Sequence, residues 1–368
     1  MRVVHVIARF NQGGTATWLF NLIEGQRSQG DEVWLIAGNV EGAEVEDSRF
    51  DSLGGIKIHK MGRSVSPIKD FLSILETRAL LQKFNPDVIN THTAKAGLVG
   101  RIAAFSLGAN RPRIVHTYHG HVLYGYFGPI TNYIYRRIEI VLSRITDLIL
   151  VSGKRVRKEL LEVGIGNESQ YVLVKPGVEQ VETLKRSDAR DKMQVPQDAT
   201  VVGWLGRISQ IKRPDRVIEL ANYFPEIVFL VGGDGELLQK IRMSAPPNVR
   251  FVGWTTPSLI WSASDIALLT SDNEAQPISL IEAASLKLPL VGEDVGSVSE
   301  VIQSGESGYL TNNFMERVKA LMLLDSDPKL RMKMGEQAFV DFKSLFSRDQ
   351  FIKTHRHAYE RVVSQPRD

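Results

Sequence analysis

Short runs of β-branched and aliphatic residues alternate with stretches of helical period along almost the whole chain. Runs at 3–8, 32–37, 57–59, 88–91, 114–118, 148–152 and 171–174 read as buried strands. Several spans between them (17–29, 69–84, 94–107 and 132–145) read as helices. Strands joined by helix-length connections imply right-handed crossovers and a parallel sheet. From 176 to 198 the pattern breaks: the segment is charged, carries Pro196 and has no clear period, so it reads as a boundary. Alternation resumes with strands at 200–205, 228–231, 249–252, 266–269 and 289–291, and residues 315–363 read as purely helical. The expected architecture is α/β, with two Rossmann-like, doubly wound domains facing each other across a cleft. One domain is 1–177, with a last helix near 350–368 packing back onto it, and the other is 178–349. In open sheets of this kind ligands sit beyond the carboxyl ends of the strands. The residues just after each strand are therefore the ones to examine.

A length of 368 residues suits two such domains, and 43% hydrophobic with 24% charged residues is the balance of a globular protein. No cysteine is present, so neither a disulfide framework nor a thiolate metal site can form. The N-terminus enters a strand at once without the layout of a signal peptide, and no apolar run approaches the ~20 residues of a membrane span. A cytoplasmic protein is the expectation. The net charge of +3 is unevenly spread: up to Gly177 there are 22 lysines and arginines against 16 acidic residues. Between Arg111 and Lys158 nine basic residues, Arg136 and Arg137 among them, face only Glu139 and Asp147 before Glu159. Such a field attracts an anionic partner, of which an anionic membrane surface or a lipid-linked diphosphate is expected here rather than nucleic acid. An apolar and aromatic stripe (Tyr126, Phe127, Ile130, Tyr133, Ile134, Ile138, Val141) accompanies it. The plainer alternative makes that stripe core packing and the cations solvent dressing.

Four stretches carry candidate chemistry. Gly206 and Arg207 leave the strand at 200–205, and Lys212 follows before a helix near Pro214, so two cations can converge on one anion. After the strand at 266–269 comes Glu274-Ala275-Gln276-Pro277-Ile278-Ser279-Leu280, with Glu282 one turn further on. Pro277 suits the first turn of a helix, which would leave the amides of Ile278, Ser279 and Leu280 as donors for an anion. Glu274 and Glu282 could then take hydroxyl groups. Gly13 and Gly14 follow the first strand without forming a dinucleotide fingerprint, yet paired glycines permit close backbone approach. Finally, His116, His119 and His121 close the strand at 114–118. Strand alternation sets His116 on the opposite face from the other two, so one imidazole reaching a ligand fits better than a metal site.

Taken in order, these residues resemble the family 4 glycosyltransferases, retaining enzymes of the GT-B fold, over essentially the whole chain. The resemblance rests on Glu274 and Glu282 as an E-x7-E pair followed by Pro289-Leu290-Val291 and Val295-Gly296-Ser297-Val298-Ser299-Glu300. Gly206-Arg207 with Lys212, Gly233-Asp234-Gly235, Gly177-Val178-Glu179, Thr91-His92-Thr93 and Thr117-Tyr118-His119-Gly120 extend it. It implies that Arg207 and Lys212 hold the diphosphate of a nucleoside-diphosphate sugar, with UDP the commonest nucleotide. Glu282 would bind the ribose, Glu274 and Gln276 the sugar, and Gly253-Trp254 the base. His119 would reach the sugar from the N-terminal domain, while Gly13, Gly14, Gly206 and Gly233 let the donor approach the backbone. Front-face transfer, in which a donor phosphate oxygen takes the acceptor's proton, would need neither metal nor cofactor. Ala275 in place of glycine and Glu179 in place of aspartate depart from the family. A nucleotide-sugar epimerase of the same fold and a non-catalytic sugar-nucleotide-binding protein remain the alternatives, and the acceptor is not legible.

Overall fold

The computed structural model describes residues 1–40, 44–62, 66–119, 129–274 and 276–366. These fall into two compact units, Met1–Gly177 with Arg348–Asp368, and Val178–Ser347. In the first unit, strands β1 (Arg2–Ile7), β2 (Glu32–Ala37), β3 (Ile56–Lys57), β4 (Val88–His92), β5 (Arg113–Tyr118), β6 (Leu148–Val151) and β7 (Tyr171–Leu173) form one parallel sheet ordered β3-β2-β1-β4-β5-β6-β7. Helices α1 (Gly14–Ser28), α2 (Arg49–Ser52), α3 (Pro67–Phe84), α4 (Ala94–Phe105), α5 (Pro129–Ser143) and α6 (Lys154–Glu162) make the crossovers. β4 and β5 are buried along their whole length, as parallel strands covered on both faces must be.

In the second unit, β8 (Val201–Leu205), β9 (Val228–Gly232), β10 (Val249–Gly253), β11 (Ile266–Leu269), β12 (Leu290–Glu293) and β13 (Gly308–Thr311) form a parallel sheet ordered β10-β9-β8-β11-β12-β13. Around it lie α7 (Arg186–Met193), α8 (Asp215–Tyr223), α9 (Leu238–Met243), α10 (Pro257–Ala263), α11 (Ile278–Ser285), α12 (Phe314–Ser326) and α13 (Pro328–Asp341). The last helix, α14 (Arg348–Ser364), packs on α1 in the first unit, where Phe351 and Tyr359 join Leu19, Leu22 and Ile23 in one core. Asn90 on β4 donates to the Tyr359 hydroxyl at 2.7 Å, which fixes the register of α14 from below.

Two elements, α7 and β13, depart from the pattern read along the chain. The boundary segment contains α7, whose polar sequence hides two anchors. Ala189 is fully buried, and the Arg190 guanidinium is satisfied by Asp265 at 2.7 Å and by the carbonyls of Ala263, Pro196, Gln197 and Ala199. β13 adds an edge strand beyond 289–291. The C-terminal tail is several helices, because the Asp327 side chain caps α13 at the amides of Lys329 and Leu330, and Pro328 cannot continue α12. Among the described residues no helix is long and apolar enough to cross a membrane.

Each sheet has one place where the connections from neighbouring parallel strands leave in opposite directions: between β1 and β4 in the first unit, and between β8 and β11 in the second. The loops that follow those strands splay apart and leave room for a ligand.

Candidate functional site

At the second unit's switch point, the loop after β8 carries Lys212 and the loop after β11 carries Glu274. The Lys212 ammonium and the Glu274 carboxylate form an ion pair, and Ser271 Oγ donates to the same carboxylate oxygen at 2.7 Å. Both loops are held from beneath. Trp204 Nε1 donates to Thr270 Oγ1 at 2.9 Å, and that hydroxyl donates to the Lys212 carbonyl at 2.9 Å. Asp272 ties in Arg216 at 2.7 Å and Arg213 at 3.3 Å, and its amide donates to the Ile211 carbonyl. Trp204, Thr270 and Asp272 carry no local signal of this role, since each acts through a partner more than fifty residues away.

Glu274 is held as firmly through its backbone. Its carbonyl accepts the Ser297 amide at 3.0 Å, and Gly296 lies so close that an added Cβ would sit 1.7 Å from that oxygen, with φ +54°. Only glycine fits there. Beyond β8 and β9 the backbone is stitched together by Gly206 N–H to the Gly232 carbonyl at 3.0 Å and Gly233 N–H to the Gly253 carbonyl at 2.7 Å. Gly233, with φ +124°, would place a Cβ 1.9 Å from the Gly206 carbonyl. Trp254, next in the chain, is 81% exposed.

The helix after Glu274 starts one residue later than the sequence implies. Pro277 is the residue that caps α11, and its carbonyl accepts the amides of Leu280 at 3.1 Å and Ile281 at 3.2 Å. Leu280 N–H is therefore engaged within the helix, and Ile278 and Ser279 supply the first-turn donors. Ile278, Ser279 and Glu282 share a half-buried face, while Leu280, Ile281, Ala283, Ala284 and Ser285 are buried. Burial pushes the Glu282 carboxyl up to about 7. Gln276 is buried. Arg207 and Lys212 pair with different carboxylates: Lys212 with Glu274, and Arg207, 75% exposed, with Glu236 at 3.5 Å. Ala275 lies outside the described residues.

In the first unit, Gly13 and Gly14 open α1, and an added Cβ on either would meet no atom within 4 Å. Thr93, which caps α4 directly after β4, holds φ +72°, a conformation costly for a β-branched residue and a mark of a constrained site. His119 follows β5 and hydrogen-bonds His92 at 2.9 Å, and burial pushes its imidazole down to about 3. His116 points elsewhere, to Thr91 Oγ1 at 2.8 Å. Gly120, His121, Tyr126 and Phe127 lie outside the described residues, as does the side chain of Ile130. Among the described residues no three histidine, aspartate or glutamate side chains group as a metal site requires.

The basic stretch of the first unit is largely paired. Asp147 takes Arg111 at 2.6 Å and Arg113 at 3.7 Å, while Glu139 is buried against Arg101 at 2.8 Å. The apolar stripe on α5 is not core: Tyr133, Ile134 and Val141 are 64%, 52% and 59% exposed. A second stripe missed in the sequence lies on α3, where Ile68, Phe71, Leu72 and Leu75 are exposed at helical spacing.

Residues 12–180 match the family model of Glycosyltransferase Family 4, and residues 185–340 match that of Glycosyl transferases group 1. The chain is 25% identical over 312 residues, 79% of this chain and 80% of the other, to the UDP-Gal:alpha-D-GlcNAc-diphosphoundecaprenol alpha-1,3-galactosyltransferase of Escherichia coli. It is 24% identical over 311 residues, 78% of this chain and 80% of the other, to the capsular polysaccharide biosynthesis glycosyltransferase CapM of Staphylococcus aureus. Its fold is similar to that of the Anabaena protein HepE in complex with UDP, with a TM-score of 0.83 at 18% identity over 98% of this chain and 100% of that one.

Proposed function

The chain belongs to the family 4 glycosyltransferases of GT-B fold, and from that premise we propose that it moves a sugar with retention from a UDP-sugar to a lipid-linked or glycan acceptor of cell-envelope polysaccharide synthesis. The observation that carries the reading is the Lys212–Glu274 pair at the switch point of the second unit, beside the first turn of α11. Lys212, Arg207 and the amides of Ile278 and Ser279 take the diphosphate, whose charge grows as the glycosidic bond breaks. When the diphosphate claims Lys212, Glu274 is freed to accept hydroxyl hydrogens from the sugar. Glu282 takes the ribose hydroxyls, Trp254 flanks the base, and His119 meets the sugar. A phosphate oxygen of the donor accepts the acceptor's proton on the face the leaving group departs from. The donor and acceptor named for the Escherichia coli relative, UDP-Gal and GlcNAc-diphosphoundecaprenol, favour UDP and a lipid diphosphate acceptor.

Binding tests this directly. UDP should raise the thermal unfolding midpoint with EDTA present, since fixed cations and helix amides supply the positive field. Its affinity should also rise with pH. The Glu282 carboxyl, held up to about 7 by burial, accepts two ribose hydroxyls best when ionised. Going from pH 6 to pH 8 moves it from mostly protonated to mostly ionised, worth up to about tenfold. Glu282→Gln should remove that part of the pH dependence and leave only the titration of UDP itself. A variant as pH-dependent as the wild type takes Glu282 out of the ribose site.

We propose further that the exposed stripes of α3 and α5, with Arg136, Arg137 and Arg144, rest on an anionic membrane surface. Co-sedimentation with vesicles containing phosphatidylglycerol should be strong at low salt and fall as salt screens the charges over about 10 Å at 0.1 M. Reversing Arg136 and Arg137 to glutamate should weaken it. Indifference to anionic lipid, or to the reversal, contradicts the contact.

A further inference from the structure

Behind His119 stands a file of hydrogen-bonded side chains inside the first unit. His119 Nε2 lies 2.9 Å from His92 Nδ1, His92 Nε2 lies 3.0 Å from His5 Nδ1, and His5 Nε2 lies 2.8 Å from Gln26 Oε1. The four side chains come from the end of β5, from β4, from β1 and from α1, so only the folded sheet assembles them. A neutral imidazole has one donor nitrogen and one acceptor nitrogen. In an unbranched file of such rings, fixing the proton at one end fixes it at every ring. Gln26 is that end. Its Oε1 accepts from His5 Nε2–H, which leaves His5 Nδ1 bare to accept from His92 Nε2–H. His92 Nδ1 in turn accepts from His119 Nε2–H.

We infer that Gln26, His5 and His92 are positioning residues that hold His119 as its Nε2–H tautomer, so that its Nδ1 meets a ligand as a hydrogen-bond acceptor and not as a donor. The inference rests on the proposed reading in which His119 meets the transferred sugar. An acceptor there selects a sugar hydroxyl that can donate, and a deoxy or O-methyl sugar at that position forfeits the bond. Turning the Gln26 amide over would reverse the whole file and present a donor three rings away.

Two observations favour a tautomer lock over a proton conduit. A conduit needs a titratable group or water at its far end, whereas this file stops at an uncharged amide only 3% exposed. Burial also keeps the rings neutral, lowering His5 to about 4, His119 to about 3 and His92 well below the ordinary imidazole range. The unit holds its own internal contrast. His355 Nδ1 donates to the Phe351 carbonyl at 3.0 Å. His116 Nδ1 donates to Thr91 Oγ1, whose own hydrogen goes to the Val115 carbonyl. Both rings are therefore Nδ1–H, opposite to the three of the file.

The test uses the full chain labelled with 15N at histidine, because imidazole 15N shifts separate protonated from bare nitrogens. His5, His92 and His119 should show protonated Nε2 and bare Nδ1, with His116 and His355 reversed. A protonated Nδ1 on His119 overturns the inference. Gln26→Met keeps side-chain length and removes the anchor. It should mix the two tautomers at His119 and lower kcat/KM for hydrolysis of UDP-galactose or UDP-glucose, whichever is turned over, by about threefold to tenfold. UDP affinity should not change. Loss of UDP binding in step with kcat/KM would mark a merely structural role and overturn the inference. The underlying reading is checked separately: a His119→Ala variant as active as the wild type defeats it, and with it the functional half of the inference, whatever the spectrum shows.

Discussion

Between pH 6.5 and pH 5 the first unit should lose most of its stability. His5, His92, His116 and His355 are fully buried, and burial lowers each below its ordinary value of 6.5: His5 to about 4, His355 to about 3, and His92 and His116 well below it. A histidine whose folded value is depressed stays neutral in the native protein while the unfolded chain takes up its proton. Stability then falls as pH drops below 6.5, and goes on falling until the folded value is reached. Each such ring costs about 1.4 kcal/mol per pH unit. Four of them cost roughly 5 kcal/mol per unit, against the ~5–15 kcal/mol that holds a typical domain together. Hydrogen exchange followed by mass spectrometry should therefore show β1, β4, β5 and α14 opening together between pH 6 and 5. Protection in those elements that persists unchanged to pH 4 would mean the rings are protonated in the native state.

Lys212→Ala should lower transfer or donor hydrolysis by roughly two to three orders of magnitude, the usual cost of removing a preorganised group from a developing anion. Arg207→Ala should cost only about tenfold. Arg207 is 75% exposed and its partner Glu236 is half-exposed, so solvent already screens its field. Lys212 is mostly enclosed, its carbonyl is fixed by Thr270, and its ammonium holds the largely buried Glu274. Circular dichroism on both variants separates a lost charge from a lost fold. Equal and small effects in both would move the diphosphate away from the loop after β8.

The sequence was most legible where a physical constraint is local. Parallel strands buried on both faces are nearly continuously apolar, which is why β1, β8 and β11 can be read within a residue or two of their ends. The E-x7-E spacing of Glu274 and Glu282 places both around one helix start for the same reason. Elements with few buried positions were harder to see. α7 buries Ala189, Arg190 and Met193 in an otherwise charged stretch, and β13 is four residues following a turn. The sequence leaves the cap of α11 open by one residue, because proline serves equally well before the first helical position and at it. The exposure of the stripe on α5 could not be separated from core packing, since periodicity records a face and not what covers it. Contacts made only by tertiary folding left no trace in any single segment. Nothing in Arg2–Ile7 announces that His5 will meet His92, or that Gln26 on α1 will end the same file.

The most direct measurement follows the anomeric proton of the released sugar by NMR while the protein, in EDTA, slowly hydrolyses a series of α-linked UDP-sugars. The account predicts that one UDP-sugar is consumed and that the sugar first appears as its α-anomer, with the β form growing in only as mutarotation proceeds. A β-anomer appearing first, activity that returns only when magnesium or manganese is restored, or isomerised UDP-sugar with no free sugar would contradict it.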